Sequence, residues 1–253
     1  MPLQKTEAIV LKSIKQGETS KILTLYTRHF GKIKVIAKGA RSSRSRFGGS
    51  LEPLTYISIV YYEKESRDLQ ILSQADIIES FARNKQELET TTISMAACEL
   101  IDRLEFGVAP SPLLFKLLLE TIRSINGHTE RPMNCLRALQ VRLLDSLGIK
   151  PDLNACMKCR QPSQAQVLFD VVSGGYICQK CRKPTTRGML LSKEALDGLK
   201  DFQTTPLSRL NGLLTSNRDQ QQVDHFLFTY LRYHVEGFRE LNALKFYKRI
   251  MKP

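Results

Sequence analysis

Four of the six cysteines stand in two CxxC pairs, and this spacing predicts a metal site. The pairs are separated by eighteen residues that include a short apolar stretch and a Gly174-Gly175 turn, which together predict a hairpin. Each CxxC bends the backbone so that two sulfurs face one ion, and two such pairs supply four thiolates to a tetrahedral Zn²⁺. The predicted ligands of this one zinc ion are Cys156, Cys159, Cys178 and Cys181.

We predict that this zinc is structural. A catalytic zinc keeps an open coordination position beside a general base, whereas four thiolates close the sphere and residues 151–190 contain no His or Glu. A redox CxxC would occur once, next to a βαβ pattern that is absent here. Basic residues flank the cysteines, and we expect them to offset the negative charge of the thiolates; they are Lys158, Arg160, Lys180, Arg182 and Lys183.

A second chemical signal is a run of cations near the amino terminus. The chain has a net charge of +13, and no acidic residue lies between Glu18 and Glu52. Such a run can be a solvated face, but its single sign favours binding to the phosphates of a nucleic acid over an anionic membrane surface. The candidate DNA-binding residues are Lys21, Arg28, Lys32, Lys34, Lys38, Arg41, Arg44 and Arg46.

The elements that hold these residues follow from the hydrophobic pattern. Alternation predicts five strands at residues 6–15, 21–28, 32–41, 51–63 and 69–78, which fit a small OB-type barrel. The Ser-, Gly- and Arg-rich stretch 41–50 is a predicted mobile loop that could close over a nucleic-acid strand. Its Phe47 is available either for stacking on a base or for insertion into the core.

Helical periodicity replaces alternation after residue 80. We predict helices at 87–106, 113–125, 132–147, 192–202 and 219–238, and a basic amphipathic tail at 244–252. The fold class is therefore α+β and multidomain. Its predicted parts are an OB domain at 1–80, a helical domain at 81–150 that is completed by 191–253, a zinc-ribbon-like module at 151–190, and C-terminal helices with a basic tail at 191–253.

Several classes of function are disfavoured. The sequence has no GxxxxGK[ST], GxGxxG, HExxH or GxSxG motif, so we predict an ATP-independent protein that is not an enzyme. Acids elsewhere in the chain could still converge, which leaves a metal-dependent nuclease as an alternative. We expect a cytoplasmic protein without a signal peptide, and we expect Cys98 and Cys135 to be buried, inert thiols.

The sequence resembles the RecO family of bacterial recombination mediators nearly from end to end. The resemblance rests on the combination of TEAIVL, GETSKILTLYTRHFGKI, AKGARSSRSRFGGSLEP, LLDSLGIKPDLNACMKC, GGYICQKC and LKFYKRI. Some relatives lack the cysteine ligands, but this chain has all four.

The resemblance implies binding to single- and double-stranded DNA, annealing of complementary strands, and nucleoid association when the protein is bound to DNA. It also implies that the protein works with RecR to load recombinase onto DNA coated by single-strand-binding protein, whose acidic C-terminal tail it contacts. Because no base-reading helix is evident, we expect sequence-independent binding that salt weakens. The alternative is an RNA-binding factor of translation or transcription that combines an OB fold with a zinc ribbon.

Overall fold

The computed structural model describes residues 2–64, 66–104, 110–127, 130–214 and 216–250. The chain forms two compact units. The barrel unit consists of Met1–His128 together with Leu241–Pro253, and the cysteine unit is Thr129–Glu240. The barrel unit is therefore built from two segments of sequence, with the whole cysteine unit inserted between them.

Five strands of the barrel unit close into a barrel with the order β1-β2-β3-β5-β4. All neighbouring pairs are antiparallel except β3 and β5, which run parallel and close the barrel together with the β1–β4 pair. This is the topology that the five-strand OB prediction requires. The strands are β1 (Leu3–Gln16), β2 (Ser20–Thr27), β3 (Gly31–Ala37), β4 (Tyr56–Tyr62) and β5 (Leu69–Glu79).

Alternation along the strands explains which side chains fill the barrel. In β3, Ile33, Val35 and Ala37 point inward, because successive side chains of a strand point to opposite faces. The bounds of the strands differ from the predicted bounds mainly in the third and fourth strands. β3 ends at Ala37 instead of residue 41, and β4 begins at Tyr56 because residues 48–51 form a short 3₁₀ turn.

Among the described residues, three helices belong to the barrel unit: α1 (Leu88–Leu104), α2 (Pro112–Asn126) and α6 (Asn242–Ile250). Ser111 caps α2 by accepting a hydrogen bond from the backbone N–H of Leu114 at 3.2 Å. The Glu99 carboxylate of α1 caps α6 in the same way, since it accepts from the N–H groups of Asn242 and Ala243 at 2.9 and 3.0 Å. The predicted basic tail is thus a helix held against α1 up to residue 250, and its residues 251 and 252 lie outside the described part of the chain.

Within 130–214 and 216–240, the cysteine unit contains three helices and a four-stranded sheet. The helices are α3 (Pro132–Ser146), α4 (Lys193–Thr204) and α5 (Asn217–His234), and the strands are β6 (Asp152–Cys156), β7 (Val167–Asp170), β8 (Gly175–Cys178) and β9 (Met189–Leu191). The sheet order is β6-β8-β7-β9. Phe169 of β7 packs edge-on against Phe226 of α5, with ring centroids 4.8 Å apart, so the sheet and α5 share one core.

Helix ends in this unit follow backbone conformation. α3 is followed by Gly148, whose positive φ of 72° ends the helix as its sequence predicts. The last predicted helix of the unit was expected to reach residue 238, but α5 ends at His234. Val235 is extended there and Gly237 has a φ of 70°, so the backbone cannot continue the helix.

The helices predicted for residues 81–150 are divided between the two units. The strands of 1–80 and the first two helices of 81–150 lie in the barrel unit, together with α6. The third helix of that segment, the cysteine module at 151–190 and the helices α4 and α5 lie in the cysteine unit. The fold class itself is confirmed: an OB-type barrel, helices and a four-cysteine module. No helix within the described ranges has both the length and the apolar character needed to cross a membrane.

Candidate metal centre and nucleic-acid interface

The two CxxC pairs begin at the ends of neighbouring strands. Cys156 is the last residue of β6 and Cys178 the last residue of β8, and these strands pair in parallel, so their carboxyl ends lie at the same edge of the sheet. The two pairs therefore leave the sheet side by side. The four sulfur atoms, including those of Cys159 and Cys181, all lie within 4.8 Å of one another.

Backbone hydrogen bonds shape each pair into a tight turn, which we call a knuckle. The N–H of Arg160 donates to the carbonyl of Cys156 at 2.8 Å, and the N–H of Cys181 donates to the carbonyl of Cys178 at 3.1 Å. The N–H of Cys178 also donates to the sulfur of Cys156 at 3.3 Å. These bonds hold the two turns in a shape that directs their sulfurs toward one another.

The thiols have shifted pKa values. Burial raises the pKa of Cys156, but the backbone N–H groups of Cys178, Cys159 and Lys158 stabilise its thiolate and bring the pKa down to about 6. Hydrogen bonds to Cys159 and Cys178 raise the pKa of Cys181 to about 12. A metal ion bound by the four sulfurs would displace the remaining thiol protons.

Four cysteines at this spacing could hold a metal ion. Within the described ranges, no other group of three or more His, Cys, Asp or Glu side chains is close enough to do so. Cys98 and Cys135 are buried in α1 and α3, outside this cluster. Burial raises the pKa of Cys98 to about 12, which keeps it in the unreactive thiol form.

The eight candidate DNA-binding residues fall into two groups. In the first group an acid from elsewhere in the sequence approaches each cation. Lys21 pairs with Glu52 at 2.7 Å, Arg28 pairs with Glu7 at 2.9 Å, and Lys32 pairs with Asp102 at 3.5 Å. Folding therefore brings to these three cations acids that the stretch between Glu18 and Glu52 does not contain.

The other five cations are exposed and form no ion pair within the described part of the chain. Alternation places Lys34 on the outer face of β3, and the others follow β3 in the turn and loop. Arg41 donates to the carbonyl of Gly17 at 2.9 Å, and the Arg46 guanidinium lies 5.1 Å from the ring centre of Phe47. The group consists of Lys34, Lys38, Arg41, Arg44 and Arg46.

The structure adds Lys12, which the sequence prediction omitted. Strand register aligns Lys12 of β1 with Thr24 of β2, and Thr24 with Lys34 of β3. Residues aligned in this way share a face of the sheet, so the exposed Lys12 lies on the same outer face as Lys34. Its position could not be read from β1 alone, because a bulge between Val10 and Lys12 shifts the register. We call Lys12 and the five unpaired cations the barrel cation surface.

The position of Phe47 decides between stacking on a base and insertion into the core, which the sequence left open. Only 3% of its surface is exposed, and it lies in the barrel core with Leu51. The loop around it is tied down by backbone hydrogen bonds, among them one from Arg41 to Thr19 at 2.8 Å. Phe47 is therefore an anchor of the loop, and its ring is not available to stack on a base.

A groove of about 570 Å³ also opens in the barrel unit. Its apolar lining comes from Leu11, Leu88, Met95 and Phe246, that is, from β1, α1 and α6. The carboxylates at its wall are engaged: Glu99 pairs with Arg103 and caps α6, and Asp102 pairs with Lys32. Lys12 lines the groove as well, so the groove adjoins the barrel cation surface.

The sequence matches two family models. Residues 1–81 match "Recombination protein O N terminal" and residues 85–242 match "Recombination protein O C terminal". The chain belongs to the recombination protein O family. Within this family it is 32% identical to the DNA repair protein RecO of Bacillus pumilus, over 98% of this chain and 97% of the relative. It is 31% identical to the DNA repair protein RecO of Pelotomaculum thermopropionicum, over 98% and 95%.

A third relative, the DNA repair protein RecO of Salinibacter ruber, is 40% identical over 58% of this chain and 56% of its own length. The recombination protein O match to residues 1–81 includes all of β1 to β5, and the match to residues 85–242 includes the four cysteines. Both candidate sites described above therefore lie in regions that match the family.

Proposed function

We propose that this protein is a recombination mediator in DNA repair that binds single- and double-stranded DNA without sequence preference. The observation that carries the proposal is the barrel cation surface, whose exposed cations have no carboxylate partner within the described ranges. It lies on an OB-type barrel in a chain whose relatives are named DNA repair protein RecO. Cations without an internal ion pair can bind phosphates and displace the counterions there, because no ion pair within the protein has to be broken first.

The proposed activity includes annealing of complementary strands without ATP. Two complementary strands repel each other through their phosphates, and a protein that neutralises both lowers this barrier while the bases pair. The outer face of the barrel offers aliphatic side chains next to the cations, because Ile14, Ile22 and Ile36 are aligned across β1, β2 and β3. Contacts of this kind are indifferent to base identity, which agrees with binding that does not depend on sequence.

For the metal centre we propose one structural Zn²⁺ bound by Cys156, Cys159, Cys178 and Cys181. Four soft thiolates suit zinc, and they leave no coordination position for a substrate. Zinc would supply folding free energy to the cysteine unit by joining the ends of β6 and β8. The chain's own contribution is the set of knuckle hydrogen bonds that aim the sulfurs and lower the pKa of Cys156.

The proposed partners are RecR and single-strand-binding protein, with which this protein would assist recombinase loading on coated single-stranded DNA. For the acidic, apolar C-terminal tail of single-strand-binding protein, we propose the groove between β1, α1 and α6 as the docking place. The groove combines an apolar lining with Lys12, and its own acids are already paired. We place the protein in the cytoplasm, with the nucleoid when it is bound to DNA, and we propose that it is not an enzyme.

An annealing assay tests this function. Two complementary labelled oligonucleotides, with and without a coat of single-strand-binding protein, should pair faster when the protein is added, in the absence of ATP. The triple variant Arg41→Ala, Arg44→Ala, Arg46→Ala should slow annealing. It should also lower the slope of log K for DNA binding against log [salt] by about 3, that is, by about 1 for each lost phosphate contact.

Two further experiments test the alternatives: competition between single-stranded DNA and structured RNA, and a search for DNA cleavage products with Mg²⁺ or Mn²⁺. Preferential binding to RNA, or DNA cleavage, would contradict the proposal.

A further inference from the structure

The knuckles carry a second set of unpaired cations. Five basic residues lie beside the four cysteines, and all five are exposed. None of them forms an ion pair with an acid within the described residues. We call this set the knuckle cation surface; its members are Lys158, Arg160, Lys180, Arg182 and Lys183. It belongs to the cysteine unit and is thus distinct from the barrel cation surface.

The acids of the same segment are engaged locally. Residues 151–190 contain only Asp152 and Asp170 as acids. Asp152 accepts a hydrogen bond from the N–H of Asn154 at 3.1 Å, and Asp170 accepts from the N–H of Val172 and the hydroxyl of Ser173 at 3.0 and 2.6 Å. Asp170 thus stabilises the turn after β7, and Asp152 is bonded within β6. The knuckle cations are therefore left without a carboxylate in their own segment.

Arg160 adopts a backbone conformation that favours glycine. Its φ is 58°, in the left-handed region, directly after the second cysteine of the first knuckle. Glycine reaches this region without steric strain, whereas arginine does not. An exposed, unpaired arginine at a position where glycine would fit the turn better is a feature that backbone geometry does not explain.

Offsetting the charge of the cysteine cluster is an incomplete explanation for these cations. The backbone N–H of Cys178 already donates to the sulfur of Cys156 at 3.3 Å. No side-chain nitrogen of the five cations has a hydrogen bond to sulfur within the described ranges. The five side chains are exposed to solvent and can contact an external anion.

We infer that the knuckle cation surface binds the phosphate backbone of a second nucleic-acid strand, while the barrel cation surface binds the first. This inference rests on the proposed function, and it adds that one chain holds two strands through one surface on each unit. The knuckles suit this task because the four cysteines fix the turns that display the cations. Binding through phosphates alone would accept any second strand, whatever its sequence.

A strand-bridging assay tests the inference. An oligonucleotide attached to a surface is saturated with the protein, and recruitment of a labelled, non-complementary second oligonucleotide is measured. The double variant Arg160→Gly, Arg182→Ala should weaken the affinity for the second oligonucleotide by about tenfold or more, because two phosphate contacts are lost. The slope of the logarithm of this affinity against log [salt] should fall by about 2. Binding to the first oligonucleotide should remain close to that of the wild type. Lys150→Ala is the matched control, because Lys150 is exposed in the same unit but paired with Asp145.

Zinc retention against a chelator separates phosphate binding from charge compensation. The single variant Arg160→Gly should keep its zinc, since glycine fits the left-handed turn, and should still weaken recruitment. Loss of zinc from this variant, or unchanged recruitment by a zinc-loaded variant, would overturn the inference. If the wild type binds the first strand but recruits no second one, the inference fails alone. If the wild type binds no oligonucleotide, the proposed function fails with it.

Discussion

Arg137 of α3 donates to both carboxylate oxygens of Asp224 of α5, through Nε at 2.7 Å and Nη2 at 2.8 Å. The Arg137 side chain is only 4% exposed, whereas that of Asp224 is 47% exposed. The guanidinium also donates to the amide oxygen of Asn134 at 2.8 Å. A buried cation is thus held by one half-exposed acid, and this pair joins two helices of the cysteine unit.

Asp224→Ala should destabilise the cysteine unit by about 2 kcal/mol, because it leaves a buried guanidinium without a counter-charge. This value is below that for a fully buried pair, since Asp224 is half exposed. Chemical denaturation followed by circular dichroism measures the change. Lys150→Ala breaks an exposed pair and should change the stability by about 1 kcal/mol or less; equal effects of the two variants would contradict this reasoning.

Lys34→Ala should weaken DNA binding and reduce the slope of log K against log [salt] by about 1, because Lys34 is exposed and unpaired. Lys32→Ala, two residues away on the same face of β3, should affect DNA binding less, since Lys32 already pairs with Asp102. Fluorescence anisotropy at several salt concentrations makes the comparison. Equal losses of salt dependence would show that internal ion pairing does not decide which cations meet phosphate.

Phe47→Ala should destabilise the barrel unit by about 3–5 kcal/mol, the usual range for a phenylalanine removed from a core. Phe47→Leu keeps most of the apolar volume and should preserve both the fold and the DNA affinity. A ring that stacked on a base would instead contribute about 1–3 kcal/mol to binding, and the leucine variant would lose much of it. Denaturation and DNA titrations on the same samples distinguish the two roles.

Cys156→Ser should lower the metal content from one zinc per chain to nearly none and destabilise the cysteine unit. Elemental analysis of the purified protein and protease resistance of the cysteine unit measure these effects. Cys135→Ala, at a buried thiol outside the cluster, should keep the zinc. A wild-type protein that is folded and free of metal would contradict the proposed zinc site.

Stability of the barrel unit should fall as the pH rises from 10 to 12. Burial, followed by the hydrogen bond to Glu7, raises the pKa of Tyr56 to about 12, and burial with the nearby Glu63 raises that of Tyr61 to about 12. In the unfolded chain both hydroxyls ionise near pH 10. Their contribution is fully present below pH 10 and is lost as the pH passes 12. The tyrosinate absorbance of these two residues should therefore appear only near pH 12 in the folded protein. Tyr61→Phe should reduce the pH dependence of the free energy of unfolding.

The sequence was sufficient for the features that depend on local patterns. Strand alternation predicted the barrel, and the CxxC spacing predicted a cluster that could hold a metal ion. Local patterns could not show which cations are paired, because Glu7 and Asp102 reach Arg28 and Lys32 only after folding. They could not place Lys12 either, since the bulge in β1 decides its face, nor could they decide whether Phe47 lies in the core or in solvent.

The contact between Glu99 and the start of α6 has a consequence for synthesis on the ribosome. Residues 129–240 are synthesised between the two segments of the barrel unit, so α6 becomes available to the barrel unit only after the whole cysteine unit has been made. Until residues 242 and 243 appear, the Glu99 carboxylate lacks the two N–H donors that it has in the finished protein. Completion of the barrel unit therefore has to follow synthesis of the whole cysteine unit, and a chain that stalls before α6 is made leaves an incomplete barrel unit exposed to chaperones and proteases.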